Sequence, residues 1–224
     1  MVLQWPYLTW HVRDGWVPLL EQALEAAQHL GDPDAESRVR ALLGWVLTEE
    51  GRPAEALAHL ELAPSLAARA GDRTSEAIAL LNLALALDRS GAVDAARSHA
   101  ARAAELARAA DDVLTELLAT ETRTRQLLAD GDAMAAEQCA ASALACVEDL
   151  TDGAQALAAM LRTLLRMSRG EALFTLGDHT AARTSVRQAL TEARTQGFQE
   201  GVRQAQAQLA RFTASMPERP MRGR

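Results

Sequence analysis

The stretch GDRTSEAIALLNLALALDRSG, residues 71–91, repeats the plan of GDPDAESRVRALLGWVLTEEG, residues 31–51, at an offset of forty. Gly71 falls on Gly31, Asp72 on Asp32, Glu76 on Glu36, Leu83 on Leu43, Leu87 on Leu47 and Gly91 on Gly51. Glycine, aspartate and leucine in common register point to an internal repeat, and a repeat decides the fold before any single residue does. The punctuation continues along the chain. Gly51, Gly91 and Gly131 are spaced at forty, and Gly177 follows after forty-six. Ala56, Ala96, Ala136 and Ala182 stand five residues beyond them, and Ala63, Ala103, Ala143 and Ala189 seven further on. Gly31-Asp32, Gly71-Asp72 and Asp111-Asp112 mark a second joint of the same unit.

Between the joints the apolar residues follow a helical period. Leu80, Leu83, Ala84 and Leu87 recur at i, i+3, i+4 and i+7, one stripe of an amphipathic helix. Asp32 before Pro33, Asp132 in GDAMAA and Asp178 in GDHTAA supply helix-start chemistry, because an N-cap carboxylate accepts from a free backbone N–H. The preceding glycine can take the left-handed conformation that ends a helix. Each unit therefore reads as a helix, a tight turn, a second helix and another turn.

Composition agrees. The 224 residues are 49% hydrophobic and 24% charged, which is globular, and only 4% aromatic. Runs such as ALAHLELAPSLAARA make an alanine–leucine core, which suits closely packed helices and suits a β-sandwich badly. All 23 basic residues are arginine, and the formal net charge of −7 argues against duplex nucleic-acid binding. Cys139 and Cys146 lie seven apart, too far for a disulfide on one helix, and read as buried small hydrophobes in a reducing compartment. With no leader-like start and no run long enough to span a bilayer, the chain reads as cytoplasmic and without a membrane partner. It has no G-x-S-x-G, P-loop or H-E-x-x-H motif. His59, His99 and Cys139 share one repeat position, a structural slot, and His11, His29 and His179 have no ligand-spaced neighbours. No enzyme, cofactor or metal is expected.

Leu43-Gly44, Leu47, Gly51, Ala56, Leu60 and Ala63, and again Leu83-Ala84, Leu87, Gly91, Ala96, Ala100 and Ala103, resemble the tetratricopeptide repeat pattern over roughly residues 33–196. The standard repeat is about thirty-four residues long; this unit resembles longer variants with GD joints. The resemblance implies an all-α, right-handed superhelical solenoid of antiparallel helix pairs, with about eleven helices. We expect one domain over 1–214: a degenerate first unit at 1–30, repeats at 33–70, 73–110, 112–149 and 152–196, and a capping helix at 198–213, followed by a disordered tail at 215–224.

By the family's pattern the first helices line a concave groove that holds a protein or peptide partner. Its groove positions fall here on Arg38, Trp45, Asp88, Arg89, Arg125, Glu171 and Phe174. In long-repeat relatives an asparagine at the position of Asn82 points into the groove and bonds a ligand backbone; the other units offer Leu42, Thr122 and Ser168 there. TETRTRQ, residues 120–126, places Thr120, Arg123 and Thr124 where the repeat asks for apolar residues, with Glu121 and Arg125 spaced for an i,i+4 ion pair. It is either a polar binding spot or, as we favour, a degenerate repeat whose helix has rotated to use Leu114, Leu117, Leu118, Leu127 and Leu128. Trp5, Tyr7, Trp10 and Trp16 make an apolar amino end that either closes the end of the core or, as we favour, is the edge of a longer array, and that offers a surface for self-association. DGWVPLLEQALEAAQHLGD with the repeats after it resembles the tetratricopeptide region of large actinobacterial antibiotic-regulatory proteins, which implies a sensor or regulatory array. A free-standing scaffold that docks a peptide or helix is the second reading.

Overall fold

The computed structural model describes residues 15–148 and 155–215. The first part of the degenerate unit, residues 1–14 with Trp5, Tyr7 and Trp10, the joint at 149–154 and the tail beyond Ser215 lie outside the described residues. Those described are all-α, without a strand: α1 (Trp16–Leu30), α2 (Pro33–Glu49), α3 (Pro53–Leu60), α4 (Ala63–Ala70), α5 (Arg73–Arg89), α6 (Val93–Ala109), α7 (Val113–Ala129), α8 (Ala133–Glu148), α9 (Gln155–Thr175), α10 (His179–Gln196) and α11 (Gln199–Ala214). Counted with α3 and α4 as one kinked helix, they number ten among the described residues, against the expected eleven or so. No helix there is long and apolar enough to cross a membrane.

The joints carry the chemistry read from the sequence. Asp32, Asp72, Asp112, Asp132 and Asp178 each accept a backbone N–H two or three residues ahead, at 2.9–3.1 Å. At the third joint Asp111 stands where Gly31 and Gly71 stand, and it keeps their left-handed backbone at φ 52°. Aspartate tolerates that region better than most side chains. Pro64 explains the break between α3 and α4. Its missing N–H and its ring interrupt the helix one turn earlier, and the Ser65 hydroxyl donates to the Leu62 carbonyl at 2.8 Å.

The packing divides the chain into two compact units, 15–126 and 127–215 among the described residues. In the first unit α2 packs on α1, α3, α4 and α5, and α5 packs on α6. Ser37 near the start of α2 donates to the Ala63 carbonyl, while Gly44 meets Leu60, so the pair runs antiparallel. In the second unit α9 packs on α8, α10 and α11, and α10 on α11. Arg162 meets Glu192 and Gly170 meets Val186, again antiparallel. The cores are alanine and leucine: Leu43, Leu60, Leu161 and Leu165 are fully buried, each worth about 1.5–3 kcal/mol of transfer free energy.

Gly44 and Gly170 lie in helix interiors at equivalent places, and close approach is their reason. A Cβ on Gly44 would sit 2.3 Å from Leu60 Cγ, and one on Gly170 would sit 2.4 Å from Val186 Cγ2 and 3.2 Å from the Ala182 carbonyl oxygen. In the second repeat both partners are small, Ala84 against Ala100. His59, His99 and Cys139 are all half-buried, as one slot should be, and burial, then the charge of Arg40, pushes the His59 imidazole below the usual histidine range. Cys146 departs from expectation and is exposed. Gly170→Ala should lower the urea midpoint, because overpacking of about 1–3 kcal/mol exceeds the helix-propensity gain of about 1 kcal/mol. An unchanged or raised midpoint would show that the helices have room there.

Candidate functional site

In the first unit the groove residues read from the sequence come from α2, α5 and the part of α7 up to Gln126. Arg89 on α5 donates through Nη1 to the Thr48 carbonyl at 2.7 Å and through Nη2 to Glu49 Oε1 at 2.6 Å, both on α2. One turn along α7, Glu121 is 6% exposed and accepts from Arg125 Nε on both carboxylate oxygens at 3.0 Å. The Glu121 charge, followed by those of Asp88 and Glu49, holds the Arg125 guanidinium above its ordinary pKa. Three successive first helices thus bring Glu49, Asp88 and Glu121 into electrostatic reach of one arginine. The cluster of three acids and two arginines is net negative and lies in part at the surface, with the Arg125 side chain 41% exposed. Asp88 is exposed. Arg38, at the other end of α2, bridges Asp34 at 3.1 Å and Asp72 at 2.8 Å.

Other expected groove residues are used inside the chain. Asn82 Nδ2 donates to the Ala41 carbonyl at 3.0 Å, so its amide braces α5 against α2 where the resemblance implied a ligand bond. Trp45 is half-buried and packs on the cluster of Leu43, Val46 and Leu60. In the second unit, Phe174 stacks on Phe212 with ring centroids 4.1 Å apart and planes 2° from parallel. Glu171 accepts from Gln208 at 3.0 Å and from Arg211. Both residues seat α11.

TETRTRQ keeps the repeat register, so the expected rotation of the helix does not occur. Thr124, at the place of Gly44 and Ala84, is fully buried. Of the five leucines named for the rotated helix, Leu117 is buried, at the place of the buried Ala77, whereas Leu114, Leu118, Leu127 and Leu128 are only half-buried. The physical reason is local: Thr120, Thr122 and Thr124 donate to the carbonyls of Glu116, Leu118 and Thr120, one turn back. A threonine hydroxyl satisfied on its own helix can be buried at small cost.

Sequence reasoning missed two features. The first is a set of braces at the repeat offset itself: Asn82 to Ala41, Arg89 to Thr48 and Gln208 to Met167 all span forty-one residues, and Arg211 to Glu171 spans forty. The signal available was a polar side chain at a groove position facing the same place one unit earlier. The second is a cleft of about 690 Å³ in the second unit, lined by Arg162, Arg166, Arg187, Gln188, Thr191 and Glu192 among others. Glu192, 14% exposed, accepts from Arg162 at 2.5 Å and from Arg166. Among the described residues no three His, Cys, Asp or Glu side chains are grouped to hold a metal ion.

No family model matches the chain, and no curated protein matches it significantly. Among solved structures, BtubC (BKLC) from P. vanneervenii superposes with a TM-score of 0.62 at 20% sequence identity, over 92% of this chain and 76% of that one. The likeness is one of fold.

Removing Arg125 takes from the buried Glu121 carboxylate the guanidinium that donates to both of its oxygens. Arg125→Ala should cost about 1–3 kcal/mol in urea unfolding, and Glu121→Leu added to it should restore most of that loss. Equal stability of Arg125→Ala and the wild type would show Glu121 to be solvated.

Proposed function

We propose that the chain is a non-catalytic interaction module of the tetratricopeptide type, which docks a protein segment on the first-helix face of residues 33–126. The reading rests on one observation: α2, α5 and α7 each contribute a charge to the surroundings of Arg125, so one partner there would meet three repeats at once. The forty-residue unit, the antiparallel helix pairs and the fold likeness to BtubC support the repeat assignment. The partner face is net negative, and an extended segment with a basic side chain suits it best. On the sequence resemblance, we assign the module to the regulatory array of a bacterial transcription regulator. A free-standing adaptor is the second reading, favoured by the intrachain use of Glu171 and Phe174, which closes the groove end in the second unit.

Asp88 is the clean probe, because it is exposed and its substitution leaves no buried group unpaired. A photo-crosslinking residue at position 88 should trap a partner protein in source-cell extract, and the same residue at Glu105, exposed on α6, should not. Equal trapping at both positions would refute the first-helix face as the docking site. The size of the native protein on an immunoblot separates the two readings: a regulator array runs well above 24.1 kDa and an adaptor near it.

A further inference from the structure

Charge is unevenly distributed along the chain. Residues 1–154 carry twelve arginines and twenty-five acidic residues, a formal charge of −13, while residues 155–224 carry eleven and five, a formal charge of +6. The overall −7 conceals this split.

Part of the basic surplus lies on one face of α10. On α10, Thr180, Thr184, Arg187, Thr191 and Arg194 follow the three-and-four spacing of one helical stripe, and all five are exposed. The single acid of that helix, Glu192, is already taken up by Arg162 and Arg166 from α9. Arg187 and Arg194 have no ion pair among the described residues, and Arg187 also lines the cleft beside Arg162 and Arg166. The acidic surplus has a counterpart of similar form. On α1, Glu21 and Glu25 stand one turn apart, both exposed, in a helix that contains no arginine. Neither carboxylate has an ion pair among the described residues.

We propose that the arginine stripe of α10 docks a second copy of this chain through the acidic stripe of that copy's α1, so that copies associate head to tail. Neither stripe has an ion pair among the described residues, and each is the electrostatic complement of the other. They are different surfaces, so the contact is heterologous and adds copies in one direction, as a ring or an open row. A nucleic acid is the weaker occupant. It would meet the repulsion of a chain at −7 and the Glu192 carboxylate in the cleft wall, whereas the acidic repeats of a second copy bring their own basic half with them. Complementary charge of this kind fixes orientation and speeds encounter more than it adds affinity. The association should therefore be weak and sensitive to salt.

Sedimentation velocity of the full chain tests this at about 0.1 M and about 1 M salt, where the Debye length falls from about 10 to about 3 Å. The expected result is species heavier than 24.1 kDa that grow with protein concentration at low salt and revert to monomer at high salt. Arg187→Glu with Arg194→Glu should be monomeric throughout, as should Glu21→Arg with Glu25→Arg. An equal mixture of the two should associate at least about tenfold more tightly than either alone, because each supplies the complement of the other's unaltered end. All four substitutions are at exposed positions, and circular dichroism checks that the helices persist. A wild-type chain that stays monomeric at low salt, an association unchanged by the reversals, or a mixture that stays monomeric would overturn the proposal. So would salt-sensitive binding of a single-stranded oligonucleotide by a monomeric wild type, which would give the arginine stripe to a polyanion.

Discussion

The close approach of the two helices inside each repeat is the constraint on which the rest depends. Where Gly44 faces Leu60 and Gly170 faces Val186, the first helix has no side chain and the second fills the space. Where the first helix carries Ala84, the second carries Ala100. In each of these pairs the first helix carries glycine or alanine, and a large residue on the second helix is met by no side chain on the first. Interiors packed to crystal density respond to a single methyl group, so this trade is what a repeat with a fixed helix spacing requires. An alanine–leucine composition with few aromatics follows from the same spacing.

Once the pair spacing is set, neighbouring first helices come within reach of side chains, and the chain uses that reach for itself. Asn82 and Arg89 are groove-position residues by pattern, yet they tie α5 to α2, as Gln208 and Arg211 tie the last helix, α11, to α9. Bonds from such side chains to main-chain carbonyls are independent of the partner's side chain, which lets the sequence between joints drift. What the proposed readings leave for a partner is narrower than the pattern suggests: the acids around Arg125, and Arg187 and Arg194 on α10, which no acid among the described residues pairs.

Much of the fold was legible because its signals are local. A glycine–aspartate joint states its own turn and cap, and Asp32, Asp132 and Asp178 cap as read. The kink at Pro64 was equally local and was overlooked, because the alanines on either side preserve the repeat pattern through it. TETRTRQ was misread because a threonine counts as polar in a pattern, whereas in a helix its hydroxyl can be satisfied one turn back and its methyl group buried. The candidate site was less legible. Position in a repeat tells which way a residue faces, but whether Asn82 or Phe174 meets a ligand or the chain depends on a neighbour one unit away in sequence, Ala41 or Phe212. The charge split between the halves was present in the sequence throughout and is hidden by the net value.

A double-mutant cycle at the first pair tests the central claim most directly. Gly44→Ala, Leu60→Ala and the double variant are unfolded in urea under one set of conditions. If pair volume sets the repeat, the double variant is less destabilised than the sum of the two single variants, by about 1 kcal/mol or more. Additivity to within about 0.5 kcal/mol would mean that the two residues act independently and that the close approach does not govern the repeat.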